Sequence, residues 1–549
     1  MRVALVALTL ALLAWLAANI MDAASHPTPQ TLEASEGAAV IVLSADRTRF
    51  VFPGECSMVR WRVGGIRAVH FYSYPVTGEG EQVVCHGDAP YLRVRLQDES
   101  ERIYTLNRDV LFLHLPIHAA ALLALGTGSL ALYLFGVSRW FATRPYLTAL
   151  LIAVAFVAIL DLYTNSAYII IGPTFDAART LEIARNGWLG NPNVLAPWAY
   201  RPVTPLLARA ISDLLGQPLD TGFAALAYAG AVAQLMLVFA LARRFGAGFR
   251  AAIVTMLVVG LSFFNLRFLL YDIYRPDHLA YPMMLLALLA LFRRQFVLCL
   301  LVSCIGILTR EFLVIPAALL ALTLLGEGVR ERSWRKLAGL VVVMIAVGSV
   351  IALPRALIPV ADSAQRFDPL NRPDAFVTEL LFPWLNVSRN YEFLAVATSY
   401  LLPILVLATP ARLRRAWIAL APYRGLLAAY IVMVILLTMY GGGDVHRYFS
   451  YMFVIQGIIL AIWLRDAGWL EIVLMLGVVA VANRMFWMID VDPIASVLWI
   501  GSIVEPSLVT QRLMEVAVYV AGAIGLRLLV GRLRASDKQI RTDNGLNPV

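Results

Sequence analysis

The chain has 549 residues, of which 60% are hydrophobic and 15% charged, with a formal net charge of +9. Soluble globular chains run roughly half apolar and a quarter charged, so this composition excludes an ordinary water-soluble fold. The excess cations sit in short segments between apolar runs, with no continuous basic face interleaved with aromatics, which argues against nucleic acid as a partner.

Arg2 precedes the apolar stretch Val3 to Ile20, and the small residues Ala23, Ala24 and Ser25 follow. Residues 1–22 therefore read as a signal peptide or a signal anchor, and the spanning length favours the anchor. Either one exports what comes next. Residues 36–110 change character. Val40-Ile41-Val42-Leu43, Met58-Val59-Arg60-Trp61-Arg62-Val63 and Tyr91-Leu92-Arg93-Val94-Arg95-Leu96 read as strands, separated by the turn signals Pro53-Gly54, Gly64-Gly65 and Gly78-Glu79-Gly80. Six or seven short strands over that length predict a small all-β sandwich. Cys56 and Cys85 fit a disulfide in an exported domain, whereas Cys299 and Cys304 lie in an apolar run and fit packing. The Gly54-x-Cys56…Trp61-x-Val63…Val76-x-Gly78-x-Gly80…Cys85 pattern resembles small Ig-like modules of bacterial surface proteins, and only the sandwich class carries over, because Trp61 follows Cys56 too closely for a true immunoglobulin domain.

From residue 113 to 530 the pattern predicts a mainly α, polytopic membrane bundle. The expected spans are approximately 113–137, 146–169, 220–242, 251–270, 279–292, 296–309, 312–325, 337–358, 393–409, 425–440, 448–464, 469–483 and 512–530. With the sandwich outside, every arginine-rich turn falls on the cytoplasmic side: Arg139 and Arg144; Arg243, Arg244 and Arg250; Arg293 and Arg294; Arg330 to Lys336; Arg412 to Arg424. The tail, 531–549, joins them. That agreement is the orientation signal of a multi-pass plasma-membrane protein. The long connectors, about 170–219, 271–278, 355–392, 441–447 and 484–511, lie on the opposite, extracytoplasmic side.

These connectors hold the candidate chemistry. Asp176, Arg179, Glu182 and Asn186 share one face of a predicted interfacial helix, with Ala177, Leu181, Ala184 and Trp188 opposite, and Gly187 ends it. Asp176 reads either as a helix cap near Arg179 or as a carboxylate poised to take a proton or hold a metal. A second amphipathic segment opens at Pro197-Trp198-Ala199-Tyr200-Arg201-Pro202, where Arg201 is either an interfacial anchor or a fork for a lipid phosphate. Tyr271-Asp272-Ile273-Tyr274-Arg275-Pro276-Asp277-His278 and Gly441-Gly442-Gly443-Asp444-Val445-His446-Arg447-Tyr448 are the other polar connectors. His278 and His446 lack metal-ligand spacing and read as lone surface histidines. Arg310-Glu311 interrupts an apolar stretch and reads as the turn of a helical hairpin at the outer surface. Asp161, near Tyr163 and Asn165, is a second-tier candidate.

Taken together these stretches resemble the polytopic glycosyltransferases of the GT-C fold, which include protein O-mannosyltransferases. Asp176 with Tyr200-Arg201-Pro202-x-x-Pro205 looks like that family's first outer loop. Arg275-Pro276-Asp277 and Thr309-Arg310-Glu311 are similar to its middle helices, and Asp444-x-x-Arg447-Tyr448 to its late Arg-Tyr element. The resemblance implies a sugar donor carried on a polyprenyl phosphate and an extracytoplasmic acceptor as partners, with Asp176 as general base. It implies Arg201 or Arg447 on the leaving phosphate, and Asp272 or Asp277 orienting the acceptor or helping to hold a divalent metal ion. Arg179, Glu182, Tyr200, Arg275 and Tyr448 complete the implied binding set. The chain departs from the family in lacking a paired acidic motif in the first loop and in carrying a sandwich ahead of the bundle. Two other readings stand beside this one: a non-catalytic membrane scaffold displaying the sandwich, and a lipid or solute transporter. For the transporter, Asp161 and Glu515 are the nearest midmembrane ionisable groups.

Overall fold

A computed structural model describes residues 2–26, 28–51, 55–71, 74–84, 90–111, 117, 120, 143–162, 175–189, 191, 193–194, 198–358, 384, 387–440, 445–483, 514 and 516–532. Backbone contacts divide the chain into two compact units, Met1–Thr174 with Phe486–Ser496, and Phe175–Met485 with Val497–Val549.

The first unit opens with helix α1 (Arg2–Ser25), followed by ten short strands among the described residues. Strands β1 (Gln30–Glu36), β2 (Ala39–Ala45), β4 (Ser57–Gly64) and β7 (Glu79–Val84) form one antiparallel sheet in the order β1-β2-β4-β7. Strands β6 (Tyr74–Pro75), β5 (Ala68–Phe71), β8 (Tyr91–Arg95) and β9 (Glu101–Thr105) form a second, in the order β6-β5-β8-β9. Strands β3 (Arg49–Phe50) and β10 (Asp109–Val110) make a parallel pair. Alternation drives the layering: along β4, Val59, Trp61 and Val63 are buried while Arg60 and Arg62 face out. Ile41, Leu43, Trp61, Phe71, Leu92 and Val94 share one core, in which the Trp61 and Phe71 rings stack at 4.9 Å. Gly80 lies against the Trp61 indole, where a Cβ would strike the ring. The sheet region begins at Gln30, not at the expected 36, because the edge strand β1 is too polar to read as a strand by alternation, although Leu32 and Ala34 pack on the core. Cys56 is disulfide-bonded, and its expected partner Cys85 lies outside the described residues. Helix α2 (Pro145–Leu162) ends this unit's described helices.

The second unit is helical. Its elements are α3 (Phe175–Asn186), α4 (Val203–Leu215), α5 (Leu219–Arg244), α6 (Phe249–Leu261), α7 (Phe268–Tyr271), α8 (Asp277–Phe292), α9 (Phe296–Ile307), α10 (Val314–Arg330) and α11 (Trp334–Leu357). They continue as α12 (Val387–Leu407), α13 (Pro410–Ala419), α14 (Arg424–Tyr440), α15 (Val445–Phe449), α16 (Phe453–Trp463) and α17 (Trp469–Ala482). Residues 516–532 are also helical. Helix α5 packs on α6 and α8, α8 on α9, α10 on α11, and α16 on α5 and α6. Cys299 and Cys304 are free thiols; Cys299 is buried against Pro316, a packing role.

Six helices among the described residues are long and apolar enough to cross a membrane: Ala7–Ser25, Leu219–Arg244, Glu311–Arg330, Trp334–Leu357, Ala421–Tyr440 and Arg447–Asp466. Two bent pairs, Phe249–Leu261 with Asn265–Tyr271 and Val396–Leu407 with Pro410–Ala419, raise this to eight if each is one span. Among the described residues the thirteen expected spans are not reached. The stretches expected at 279–292, 296–309 and 469–483 are helices of 16, 12 and 14 residues, short of the roughly 20 that a straight crossing takes. The span expected at 113–137 falls almost wholly outside the described residues.

Candidate functional site: a buried arginine pair around Asp277

Three breaks in the helical unit converge at one end of it. The first is the start of α8. Asp277 is its first residue, placed where the positive end of the helix dipole favours a carboxylate. Gly230 of α5 faces this turn so closely that a Cβ would fall on the His278 carbonyl, so the glycine sets how near α5 and α8 approach. The second break is the turn between α9 and α10, where Arg310 adopts extended backbone (φ −157°, ψ 133°) ahead of a short 3-10 turn, Glu311–Leu313. The third is α15 and the 3-10 turn Ser450–Met452, which carry Arg447, Tyr448, Ser450 and Tyr451.

These side chains meet. Asp277 and Arg310 are fully buried and Arg447 nearly so. Arg310 Nε lies 3.5 Å from Asp277 Oδ1, and Arg447 Nη1 lies 3.9 Å from Oδ2. The Tyr451 hydroxyl donates to Asp277 Oδ1 at 3.5 Å. Both guanidiniums lie over the Tyr448 ring, at 5.2 Å for Arg310 and 5.6 Å for Arg447. Phe312 stacks on Tyr448 and on Tyr451, and Tyr281 packs edge-on against Tyr451 while its hydroxyl meets Ser450 Oγ. Ser450 Oγ donates to the Arg447 carbonyl at 2.6 Å, fixing the turn.

The charge balance of this cluster is its chemical content. Among the described residues, Arg310 and Arg447 both lie against the Asp277 carboxylate, while the neighbouring Glu311 is taken up by Arg201. Neither Nη1 nor Nη2 of Arg310 has a hydrogen-bond partner among the described residues. A buried cation left with unmade hydrogen bonds costs several kcal/mol, and an incoming anion with two or three acceptor oxygens offsets that cost.

The remaining predicted residues pack nearby or serve the loops. Arg201 donates to Glu311 Oε1 at 2.7 Å, tying the outer connector to the residue beside Arg310. Val203 N donates to the Leu308 carbonyl at 3.4 Å in the same seam. Tyr200 lies under the Arg355 guanidinium, 4.4 Å away. Thr180, Ile183, Trp198, Arg201, Thr204, Pro205 and Pro276 line a narrow cleft, which ends one residue from Asp277. Asp272 is bound to its own turn: Arg275 donates to Oδ2 at 2.8 Å and Tyr274 N to Oδ1 at 3.3 Å. Tyr274 also donates to Asp220, at 3.0 Å. Glu182 accepts from Asn186 at 3.0 Å and Asn191 at 3.1 Å, with Asn193 at 3.4 Å. Those bonds, with half-buried Arg179 beside it, hold its carboxyl below the usual glutamate range. Asp176 opens α3, and its side chain lies outside the described residues, as do Asp444, the side chain of His446, Tyr163, Asn165 and Glu515.

Sequence reasoning brought Asp277, Arg447 and Tyr448 into the candidate set and left Arg310 as the mark of a turn. The turn is there, but Arg310 points into the bundle. A charge inside an apolar run was the signal. Tyr281, Ser450 and Tyr451 were missed; Tyr451 sits one helical turn after Arg447, a spacing that read as core. His278 was expected at the surface and is instead 1% exposed, its Nε2 3.3 Å from the Asp272 carbonyl. The histidine is the second residue of a helix that is buried on nearly all sides, a context that the polar octapeptide 271–278 does not reveal.

No protein-family model, curated protein or solved structure matches the chain. Among the described residues no group of three or more His, Cys, Asp or Glu side chains is placed to hold a metal ion.

Proposed function

We propose that this protein is a polytopic membrane glycosyltransferase that moves a sugar from a polyprenyl-phosphate donor to an extracytoplasmic acceptor. The observation that carries the reading is Arg310: fully buried, beside Asp277 and Arg447, with neither terminal nitrogen hydrogen-bonded among the described residues and both able to grip an anion. A polyprenyl phosphate presents such an anion from within the bilayer, where an aqueous pocket is not needed. The apolar helices supply the setting, and the arginine-rich turns at their other ends orient the bundle with this cluster at the outer leaflet.

In the reaction the acceptor hydroxyl oxygen attacks the anomeric carbon, opposite the phosphate. The new bond is acceptor oxygen to carbon, and the carbon–oxygen bond to phosphate breaks. The electron pair leaves on the phosphate oxygen, where Arg310 and Arg447 stabilise the developing charge. The acceptor proton passes to Asp176, the proposed general base on α3. Asp277 orients the two arginines, and Arg201 secures the connector through Glu311. Attack from the face opposite the leaving group inverts the sugar carbon.

Purified protein incubated with polyprenyl-phosphate sugars and a hydroxyl acceptor tests this reading. Transfer by the wild type, with a loss of 100-fold or more in Asp176→Asn and in Arg447→Gln, supports it. Unchanged transfer in Asp176→Asn removes that residue from the mechanism. An inert wild type leaves the scaffold reading in its place.

A further inference from the structure

Helix α13 sits at the other end of the helical unit from the Asp277 cluster, since α14, which follows it, runs from Arg424 back toward α15. It turns by 110° from Val396–Leu407. The bend is fixed from inside. Thr409 caps the helix, accepting from Arg412 N at 3.0 Å. Arg412, only 2% exposed, donates to both oxygens of buried Glu471, at 3.1 and 2.8 Å, and to the Leu407 carbonyl at 2.7 Å. Arg527 adds a bond to Glu471 at 3.3 Å.

The consequence is an inverted helix. Its charged anchor points inward, while Leu413, Trp417 and Ile418 are 55, 64 and 61% exposed. At 100° per residue these three share the outward face with Arg414. The candidate span Ala421–Tyr440 follows at once, so the apolar face runs on into a membrane-crossing surface. Cations are interleaved with it. The Arg424 guanidinium lies 3.8 Å over the Trp417 ring, Arg250 lies 5.1 Å over exposed Trp469, and Arg335 lies 5.8 Å over exposed Trp334. Arg415 is paired with Asp466 at 2.7 Å, whereas Arg414 and Arg424 meet no carboxylate among the described residues; Arg424 donates from Nε and Nη2 to the Trp417 carbonyl, at 3.1 and 2.6 Å.

We propose that helix Pro410–Ala419, with Arg414, Arg424 and Trp417, is an interfacial platform that binds anionic phospholipid headgroups. The indole and the two aliphatic side chains enter the acyl boundary, and Arg414 and Arg424, neither of them ion-paired among the described residues, take the headgroup phosphates. Arg424 is held in place by its bonds to the Trp417 carbonyl. The Arg412–Glu471 bridge keeps the helix flat against the leaflet. This site is independent of the donor site proposed above.

The full chain, purified in detergent, is titrated with phosphatidylglycerol, with phosphatidylcholine, or with soluble glycerol 3-phosphate, and bound lipid is counted by native mass spectrometry. The platform predicts tighter retention of phosphatidylglycerol than of phosphatidylcholine. It also predicts weakening by about fivefold for each arginine removed in Arg414→Gln and Arg424→Gln. Arg414 is exposed and Arg424 half-buried, so unchanged elution and helicity verify the fold of each variant. A Trp417→Ala variant is expected to release both lipids more readily. Equal retention of the two lipids, an undiminished preference in the double arginine variant, or full competition by glycerol 3-phosphate would overturn the proposal.

Discussion

Arg310 is the residue on which the account turns, because its environment separates a stabilising role from a functional one. Removing either partner of a buried ion pair leaves an uncompensated charge, which costs about 3–5 kcal/mol. Without Asp277 both arginines lose their carboxylate, whereas without Arg310 the Asp277 carboxylate still has Arg447 at 3.9 Å. Asp277→Asn is therefore expected to lower the melting temperature sharply. Arg310→Met is expected to hold it while abolishing sugar transfer, a pairing that a purely structural arginine would not give. Thermal unfolding alongside the transfer assay reads both. Glu182 makes a separate prediction. Its carboxyl titrates below the ordinary value because Asn186, Asn191 and Asn193 donate to it and Arg179 lies beside it. A depressed folded-state value means that its stabilisation of the connector is present above pH 4.5 and is lost as pH falls through the lower folded value. Hydrogen exchange of residues 186–194 is expected to speed up on that acid side, and Glu182→Gln to flatten the profile.

At the scale of elements, the legible parts were those with a strong period or a strong composition. The alternation in Met58 to Val63 marked β4, and the interfacial face of Asp176 to Trp188 marked α3, which the structure places at Phe175–Asn186. Arginine-bearing turns marked the helix ends. Two things were less legible. Edge strand β1 carries Gln30, Thr31, Glu33, Ser35 and Glu36 among its seven residues and has little apolar contrast. The cluster around Asp277 is built from three segments far apart in sequence, and no local pattern says that Arg310 of one turn will face Asp277 of another. Packing decides that, and Gly230 is one residue that shapes it. Gly230→Val is expected to push α5 off α8, lowering stability by about 1–3 kcal/mol and transfer with it, because the start of α8 would shift away from Arg447. Arg201→Met acts differently. The Arg201–Glu311 pair is partly exposed, so the loss of stability is expected within about 1 kcal/mol. The effect should fall instead on the connector, seen as faster hydrogen exchange over α4.

For the whole molecule, the proposed polarity rests on the apolar helices and the arginine-rich turns between them. The proposed arrangement places α3, α4 and the turns bearing Asp277, Arg310 and Arg447 outside the cell, with helix Pro410–Ala419 on the cytoplasmic leaflet. Single cysteines introduced at Asn193 and Arg332 of a variant lacking the native thiols report this directly: an impermeant maleimide should label 193 in intact cells and 332 only after permeabilisation. Labelling in the reverse order would invert the orientation and detach the cluster from an extracytoplasmic acceptor.

The central claim is that the buried arginines at the end of the bundle hold a lipid-borne phosphate. Equilibrium binding of a radiolabelled polyprenyl phosphate to the purified full chain, compared with Arg310→Met and the Arg310→Met/Arg447→Met pair, measures it most directly. Saturable binding by the wild type that weakens at least tenfold in the first variant and vanishes in the second is the predicted result. Binding of equal strength in all three proteins would contradict the account.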